Sequence, residues 1–304
     1  MTTVAGAAGN PQSERVQVNG LWLNVSDWGG DGNVIFFAHP TGFLGLLWRP
    51  IIDRLRHAGV TARIFSYDQR GHGLSSKPDG RYDWGIFVDD AAALMRLLGI
   101  EHALGVGHSA GGTTLAGVAS REPQRLRRLV MVDPVMYHPE LARLIAETGD
   151  NPMAARTRTR RMVWPSRREL FNSYRKREPY STWTDEALHV YVDEGTFDRP
   201  DGEIELLCPA RIEAQVYAAA PSFDAYGCLR KVTAPLLLLR GEQSTTFDAE
   251  RARQAVEVAP HARVVTVAGA THFIPMEKPD EVARLILAEF DADMGSGGAG
   301  GGKA

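Results

Sequence analysis

Three short stretches of this chain carry residue types that together could break an acyl bond. The first, A-L-G-V-G-H-S-A-G-G over residues 103–112, contains Gly107-His108-Ser109-Ala110-Gly111, a G-x-S-x-G. An apolar run enters it and a helix-like segment leaves it. That context predicts a sharp strand-to-helix turn that presents the Ser109 hydroxyl, with glycines leaving room for close backbone contacts. The N–H of Ala110 then points to where an oxyanion would form. A hydroxyl is a weak nucleophile without a base, and V-V-T-V-A-G-A-T-H-F-I-P over 264–275 supplies His272 in a loop after an apolar run. A neutral imidazole there can take the serine proton and return it to a leaving group. The third stretch, F-F-A-H-P-T-G-F over 36–43, is a glycine-containing turn after an early apolar run. Pro40 has no N–H, so the backbone N–H of Thr41 is the candidate second oxyanion donor. Such preorganised donors are typically worth about 2.7–4 kcal/mol each. His39 reads as a residue that orients this turn, and His108 as packing within the elbow.

These loops need a frame. Short apolar runs fall at 33–38, 62–67, 103–106, 129–132, 236–239 and 264–267, and several lack period-two alternation, as parallel strands buried on both faces do. V-Q-V at 16–18 and L-W-L-N-V-S-D-W at 21–28 do alternate, which predicts an antiparallel hairpin around Asn19-Gly20. Phe87, Ala91, Leu94 and Leu98 recur at helical spacing, as do Val282, Leu285, Ile286 and Phe290; Pro279 and Asp280 suit the first turn of that last helix. The alternation predicts an α/β fold with a mostly parallel sheet and helices on both faces.

The rhythm breaks once, between about 134 and 232. Nine basic residues from Arg156 to Arg177 crowd there beside Trp164, Phe171 and Tyr174. A stretch this long should carry its own structure and reads as a helical cap, its basic cluster a solvated helix face. The expected organisation is a tail over 1–14, a core over 15–134 and 233–292, a cap over 135–232, and a Gly-rich tail over 293–304.

Composition narrows the function classes. The chain has 304 residues, 44% hydrophobic and 23% charged, with a net charge of -3, and a pI near 6.3. This balance points away from nucleic acid or an anionic membrane as partner. The N-terminal stretch shows no basic region followed by an apolar core, and no run approaches the ~18 apolar residues that span a bilayer. Cys208 and Cys228 have no metal-ligand spacing and read as reduced thiols. A cytoplasmic protein without cofactor or metal is expected; oligomeric state is not encoded in these features.

With these motifs in hand, the chain resembles the α/β-hydrolase superfamily over residues 16 to 291. The resemblance rests on His39 to Phe43, the D-Q-R-G-H-G-L-S turn from Asp68 to Ser75, Gly107 to Gly111, and Gly269 to His272. The segment with R-R-M-V-W-P-S-R-R-E-L-F and Y-V-D-E-G-T-F-D-R-P-D-G is similar to bacterial esterase-like hydrolases with a helical cap. The resemblance implies an eight-stranded sheet, and a structural role for Asp68 and Arg70 in bracing the loops beside the oxyanion turn. Asp68, Arg70 and His72 are therefore left out of the catalytic set, with substrate contact by His72 or Arg70 as the alternative. The resemblance also implies a carboxylate to orient His272. Many members carry it just past the glycine after the strand at 236–240, where this chain has Ser244 and Thr245. Glu242 follows that glycine directly and should turn away, and Asp248 is placed to cap a helix from about 249. The superfamily's other solution puts the acid one strand earlier, which selects Asp133, with Asp248 and Glu242 as alternatives.

The resulting expectation is a serine hydrolase acting on a small-molecule carboxylic ester or lactone. Ser109, His272 and Asp133 would form its triad, and Thr41 and Ala110 its oxyanion hole. Phe43, Met136, Trp164, Tyr174 and Trp183 are the candidate apolar pocket, with the core of the cap as the alternative place for most of them. The same triad could serve C–C, thioester or amide cleavage, and a hydrolase-fold ligand receptor is the reading from a different class. An epoxide hydrolase or haloalkane dehalogenase is disfavoured, since both use an aspartate nucleophile.

Overall fold

The computed structural model describes residues 9–148 and 151–296. Its central sheet takes strands β1 (Gln12–Val18), β2 (Leu21–Asp27), β3 (Asp31–Ala38), β4 (Ala62–Tyr67), β5 (Ala103–His108) and β6 (Leu126–Val132). An insertion carries three short strands, β7 (Val163–Trp164), β8 (Thr196–Asp198) and β9 (Ile204–Leu206), and the sheet then resumes with β10 (Leu236–Gly241) and β11 (Ala262–Val267). The spatial order is β1-β2-β4-β3-β5-β6-β10-β11. From β4 onward all neighbours are parallel, while β1 and β2 form the expected antiparallel hairpin, Val18 opposite Leu21. Asn19 and Gly20 both have positive φ, 48° and 76°, the conformation that a two-residue hairpin of right-handed twist demands.

Helices α1 (Arg49–His57), α2 (Trp84–Leu97) and α3 (Ala110–Arg121) follow β3, β4 and β5. The insertion holds α4 (Pro139–Thr148), α5 (Pro152–Arg158), α6 (Arg167–Tyr174), α7 (Asp185–Glu194), α8 (Ala210–Ala219) and α9 (Ala225–Leu229). The chain closes with α10 (Ala249–Val258), α11 (Ile274–Glu277) and α12 (Pro279–Ser296). Because parallel strands bury both faces, there are two cores. One packs α2, α3, α9 and α10 through residues such as Leu94, Leu115, Leu229 and Ala255; the other packs α1 and α12 through Ile51, Ile52, Val282 and Ile286.

Three expectations are corrected. Residues 12–14, placed in a tail, belong to β1, where Gln12 pairs with Asp27 and Ser13 with Ser26; their exposed polar side chains gave no alternation to read. At the other end α12 runs to Ser296, so its last turn takes four residues assigned to the Gly-rich tail; residues 1–8 and 297–304 lie outside the described residues. The insertion is not purely helical, since β7, β9 and β8 form a small antiparallel sheet, with strands of two or three residues that are too short to show a period. Its last helix, α9, already packs in the core of α2 and α3. Among the described residues no helix is long and apolar enough to cross a membrane, and Cys208 and Cys228 are free thiols.

Candidate active site

The elbow is built by forced close approaches. Ser109 has φ 54° and ψ -123°, a region sparsely populated by non-glycine residues and costing of order 1–3 kcal/mol. A Cβ at Gly107 would strike the backbone of Gly111, and one at Gly111 would strike Ala38 and His39 carbonyls. Glycine at both positions therefore lets α3 start directly against the ends of β5 and β3. The Ser109 N–H donates to Val132 O at 2.9 Å, which anchors the elbow to β6.

The residue that follows β6 is Asp133, whose backbone is also left-handed, φ 43°. Its N–H donates to Leu239 O on β10 at 2.7 Å, and its carboxylate is fully buried. His272 Nδ1–H donates to Asp133 Oδ1 at 2.7 Å, and the Ser109 hydroxyl lies 3.1 Å from His272 Nε2. Asp133, His272 and Ser109, selected from separate loops, thus stand in one hydrogen-bonded chain. Ser244 Oγ donates to the same Asp133 oxygen at 2.6 Å, and the Gly241 N–H donates to the other at 2.9 Å. Ser244 in turn accepts from the Thr246 and Phe247 N–H groups.

The two alternative acids are engaged elsewhere. Asp248 caps α10, accepting from Arg251 N at 2.9 Å, and pairs with the Arg251 guanidinium. Glu242 turns away from the imidazole and accepts from Gly269 N at 2.8 Å, tying the β10 turn to the His272 loop. Glu277 holds the same loop through both the N–H and hydroxyl of Thr271.

His108 does more than pack. Its Nε2–H donates to the His272 backbone carbonyl at 2.9 Å, and burial holds its pKa well below the usual range, so the ring is neutral. It fixes the main chain of the candidate base. The only sequence signal for this was its place beside the serine.

On the other side of β5, His39 organises the Thr41 turn. Its Nδ1–H donates to Pro40 O at 2.7 Å, and its Nε2 accepts from Gln69 N at 2.9 Å. Burial lowers its pKa to about 4. Asp68 accepts from Gly45 N, Leu74 N and Asn24 Nδ2, and Arg70 pairs with Asp90. Both brace the loops beside this turn. Neither the Thr41 N–H nor the Ala110 N–H has a hydrogen-bond partner among the described residues.

Beside them is a narrow, closed slot lined by Thr41, Gln69, His72, Trp84, Phe87, Ala110, Thr114 and Val216. Three of its polar atoms, Thr41 Oγ1, Gln69 Oε1 and His72 Nε2, are buried without a hydrogen-bond partner among the described residues. Each such group costs about 1–3 kcal/mol. Sequence reasoning missed Gln69, Trp84, Phe87 and Val216, which stand on three different segments, the loop after β4, α2 and α8, and share no motif.

The aromatic residues expected to line a pocket are used differently. Trp164, Tyr174 and Trp183 are packed in the insertion's own core together with Phe43, whose ring sits 5.5 Å from Trp183 and 4.8 Å from Tyr191. Met136 is buried in the core around α3. None of the five lines the slot; a thin insertion must bury its largest side chains against one another to be stable at all. The basic cluster also divides. Arg167 and Arg175 make surface ion pairs with Asp198 and Asp185. Arg160 instead turns inward to pair with Glu213 at 2.5 Å and to donate to the hydroxyls of Tyr174, Tyr180 and Tyr191.

Comparison with known proteins agrees with this architecture. Residues 34–279 match the family model described as alpha/beta hydrolase fold. The chain is 28% identical to 2-(acetamidomethylene)succinate hydrolase of Mesorhizobium japonicum, covering 92% of this chain and 95% of that one. It is 23% identical to a bifunctional esterase/perhydrolase of Acinetobacter calcoaceticus, covering 89% and 96%. The crystal structure of E-2-(acetamidomethylene)succinate hydrolase superposes with a TM-score of 0.81 at 27% identity, covering 92% of this chain and 99% of that one. With its elbow, its sheet order and a family match over most of its length, the chain belongs to the alpha/beta hydrolase fold family and is a hydrolase of that fold.

Proposed function

We propose that the protein is a serine hydrolase that cleaves a carboxylic ester or lactone through an acyl-enzyme on Ser109. The observation that carries this reading is the chain from Asp133 through His272 to the Ser109 hydroxyl, at 2.7 and 3.1 Å. His272 Nε2 removes the hydroxyl proton as Oγ adds to the carbonyl carbon, and Asp133 holds Nδ1–H in place and stabilises the imidazolium. The N–H groups of Thr41 and Ala110 receive the oxyanion. As the tetrahedral adduct collapses, Nε2–H gives its proton to the departing alkoxide. The same nitrogen then deprotonates water for attack on the acyl-enzyme, which releases the acid and restores Ser109.

A relative named as an esterase/perhydrolase supports the ester reading. Labelling with a fluorophosphonate and turnover of short p-nitrophenyl esters test it. Both are expected in the wild type and lost in Ser109→Ala; labelling that survives the substitution would overturn the assignment. The likeness to a 2-(acetamidomethylene)succinate hydrolase favours a second reading, an amide-bearing substrate cleaved by the same atoms. A kcat/KM for short N-acyl anilides above that for matched esters would select it.

A further inference from the structure

The slot beside Thr41 and Ala110 has a definite hydrogen-bonding character, fixed by what its polar groups already do. Gln69 Nε2 donates to His39 O at 2.7 Å. A carbonyl only accepts, so the amide cannot turn over and Oε1 is the atom left facing the slot as an acceptor. His72 Nδ1 lies 2.9 Å from Arg70 O and must carry the ring proton. Burial, with neighbouring His39, lowers the His72 pKa to about 3, so Nε2 presents a bare lone pair. The Thr41 hydroxyl can donate or accept. Thr41, Gln69 and His72 are each at most 4% exposed, and all three unpartnered atoms line the one slot. Two fixed acceptors and a hydroxyl suit an O–H or N–H donor and disfavour a carboxylate.

The sheet order says which end of a substrate this slot receives. His272 and Asp133 follow β11 and β6, on one side of the β5 elbow, whereas Thr41 and Gln69 follow β3 and β4, on the other. A leaving group must face His272 to be protonated, so the acyl substituent is directed toward β3 and β4. Thr41 and Ala110 border both the oxyanion position and the slot, which places the slot next to the carbon attached to the carbonyl. Trp84, Phe87 and Val216 close its apolar walls. The space has no room for a free water molecule at its present width, so an occupant must part the walls, of which Val216 stands on the inserted helix α8.

We propose that this slot is the acyl subsite and that it selects a short acyl group carrying a hydrogen-bond donor, a hydroxyl or amide N–H, close to the carbonyl. The inference rests on the ester-hydrolase reading above and adds a substrate class to it. A site built to bond a polar group rejects the isostere that lacks it far more strongly than an apolar pocket separates homologues, because its own buried groups are left unpaired.

p-Nitrophenyl glycolate, methoxyacetate and propionate test this, each rate normalised to its hydroxide-catalysed hydrolysis. Methoxyacetate keeps the electron withdrawal of glycolate and removes the donor. p-Nitrophenyl N-acetylglycinate against levulinate, which has CH2 in place of N–H, reads the amide arm. Donor-bearing esters are expected to be favoured at least about tenfold in kcat/KM. Thr41→Val, which keeps the backbone N–H, should reduce the ratio toward one, while Thr41→Ser retains it. Equal or better turnover of propionate, or a ratio unmoved in Thr41→Val, overturns the proposal. Chemical-shift titration of the Ser109→Ala variant with methyl glycolate and methyl propionate reads the slot without chemistry. Donor-selective binding without any ester turnover would sink the hydrolysis reading and leave the subsite standing. Turnover without selectivity would do the reverse.

Discussion

The two sides of the β5 elbow solve opposite problems. On the β6 and β10 side every polar atom of Asp133 is spoken for: Oδ1 accepts from His272 and Ser244, Oδ2 from Gly241. On the β3 and β4 side His39 and His72 are neutral, and the three polar atoms that face the slot, Thr41 Oγ1, Gln69 Oε1 and His72 Nε2, have no partner among the described residues. A buried charge is tolerable only when paired and hydrogen-bonded, whereas neutral groups left unpaired cost less. The contrast teaches that the saturated side suits proton transfer at a fixed geometry, and the unsaturated side suits taking up a group that arrives from outside.

The sharpest way to break the comparison is to neutralise the saturated side. Asp133→Asn is expected to lower kcat on p-nitrophenyl esters by about 10⁴-fold, because the amide cannot hold the imidazole in its tautomer. Little loss would mean that the charge comes from elsewhere. Ser244 Oγ and His272 Nδ1 touch the same Asp133 oxygen, so a carboxylate at 244 falls within reach of the imidazole. In the Asp133→Asn background, Ser244→Asp should therefore recover roughly 10- to 100-fold of the lost rate, about 1.4–2.7 kcal/mol. No recovery would show that position 244 serves only as a cradle.

The neutral side is read by pH. His39 and His72, with pKa values lowered to about 4 and about 3 by burial, stay neutral in the fold. In the unfolded chain they titrate near 6.5. Below that pH the unfolded state binds protons that the native state refuses. Their stabilising contribution is therefore complete above about pH 6.5 and is lost as pH falls toward 4. Urea unfolding at pH 7 and 5.5 should differ by roughly 1 kcal/mol for each histidine. A flat profile would mean that these rings are not held neutral. The smallest effect is Ser244→Ala, which removes one donor to Asp133 and is expected to cost about 1 kcal/mol, roughly fivefold in kcat/KM. A loss comparable to Asp133→Asn would give Ser244 a role beyond supporting the acid.

Ser109 and His272 were legible because an elbow and a loop after the last strand are local patterns. Asp133 emerged because Ser244 and Thr245 stand where a carboxylate is usual. What the vacated turn does instead was not legible: Ser244 and Glu242 act on Asp133 and Gly269, far away in sequence, and no local signal reports a long-range hydrogen bond. The frame was readable where strands run six or more residues and are mostly apolar, as in β3 and β4. It failed for β7, β8 and β9, whose two or three residues define no period, and for the start of β1, whose side chains face solvent. The aromatic residues of the insertion were conspicuous by type, yet type does not separate a ring that lines a site from one that holds a thin subdomain together. Arg160 was lost for a related reason, being one inward residue in a run of outward cations.

The Arg160–Glu213 pair also bears on how the insertion could be exchanged between enzymes. A side chain at position 42 would meet the Glu213 carboxylate at 2.5 Å, so a helix of the insertion presses its acid against the turn that carries Thr41. Grafting another cap onto this core would leave Gly42 facing a stranger, and transplanting this cap would carry a buried acid to a host turn not shaped for it. Gly42, Arg160 and Glu213 therefore form one inheritable unit split across two parts of the chain. Chimeras that cut between them should lose the oxyanion turn before they lose the fold.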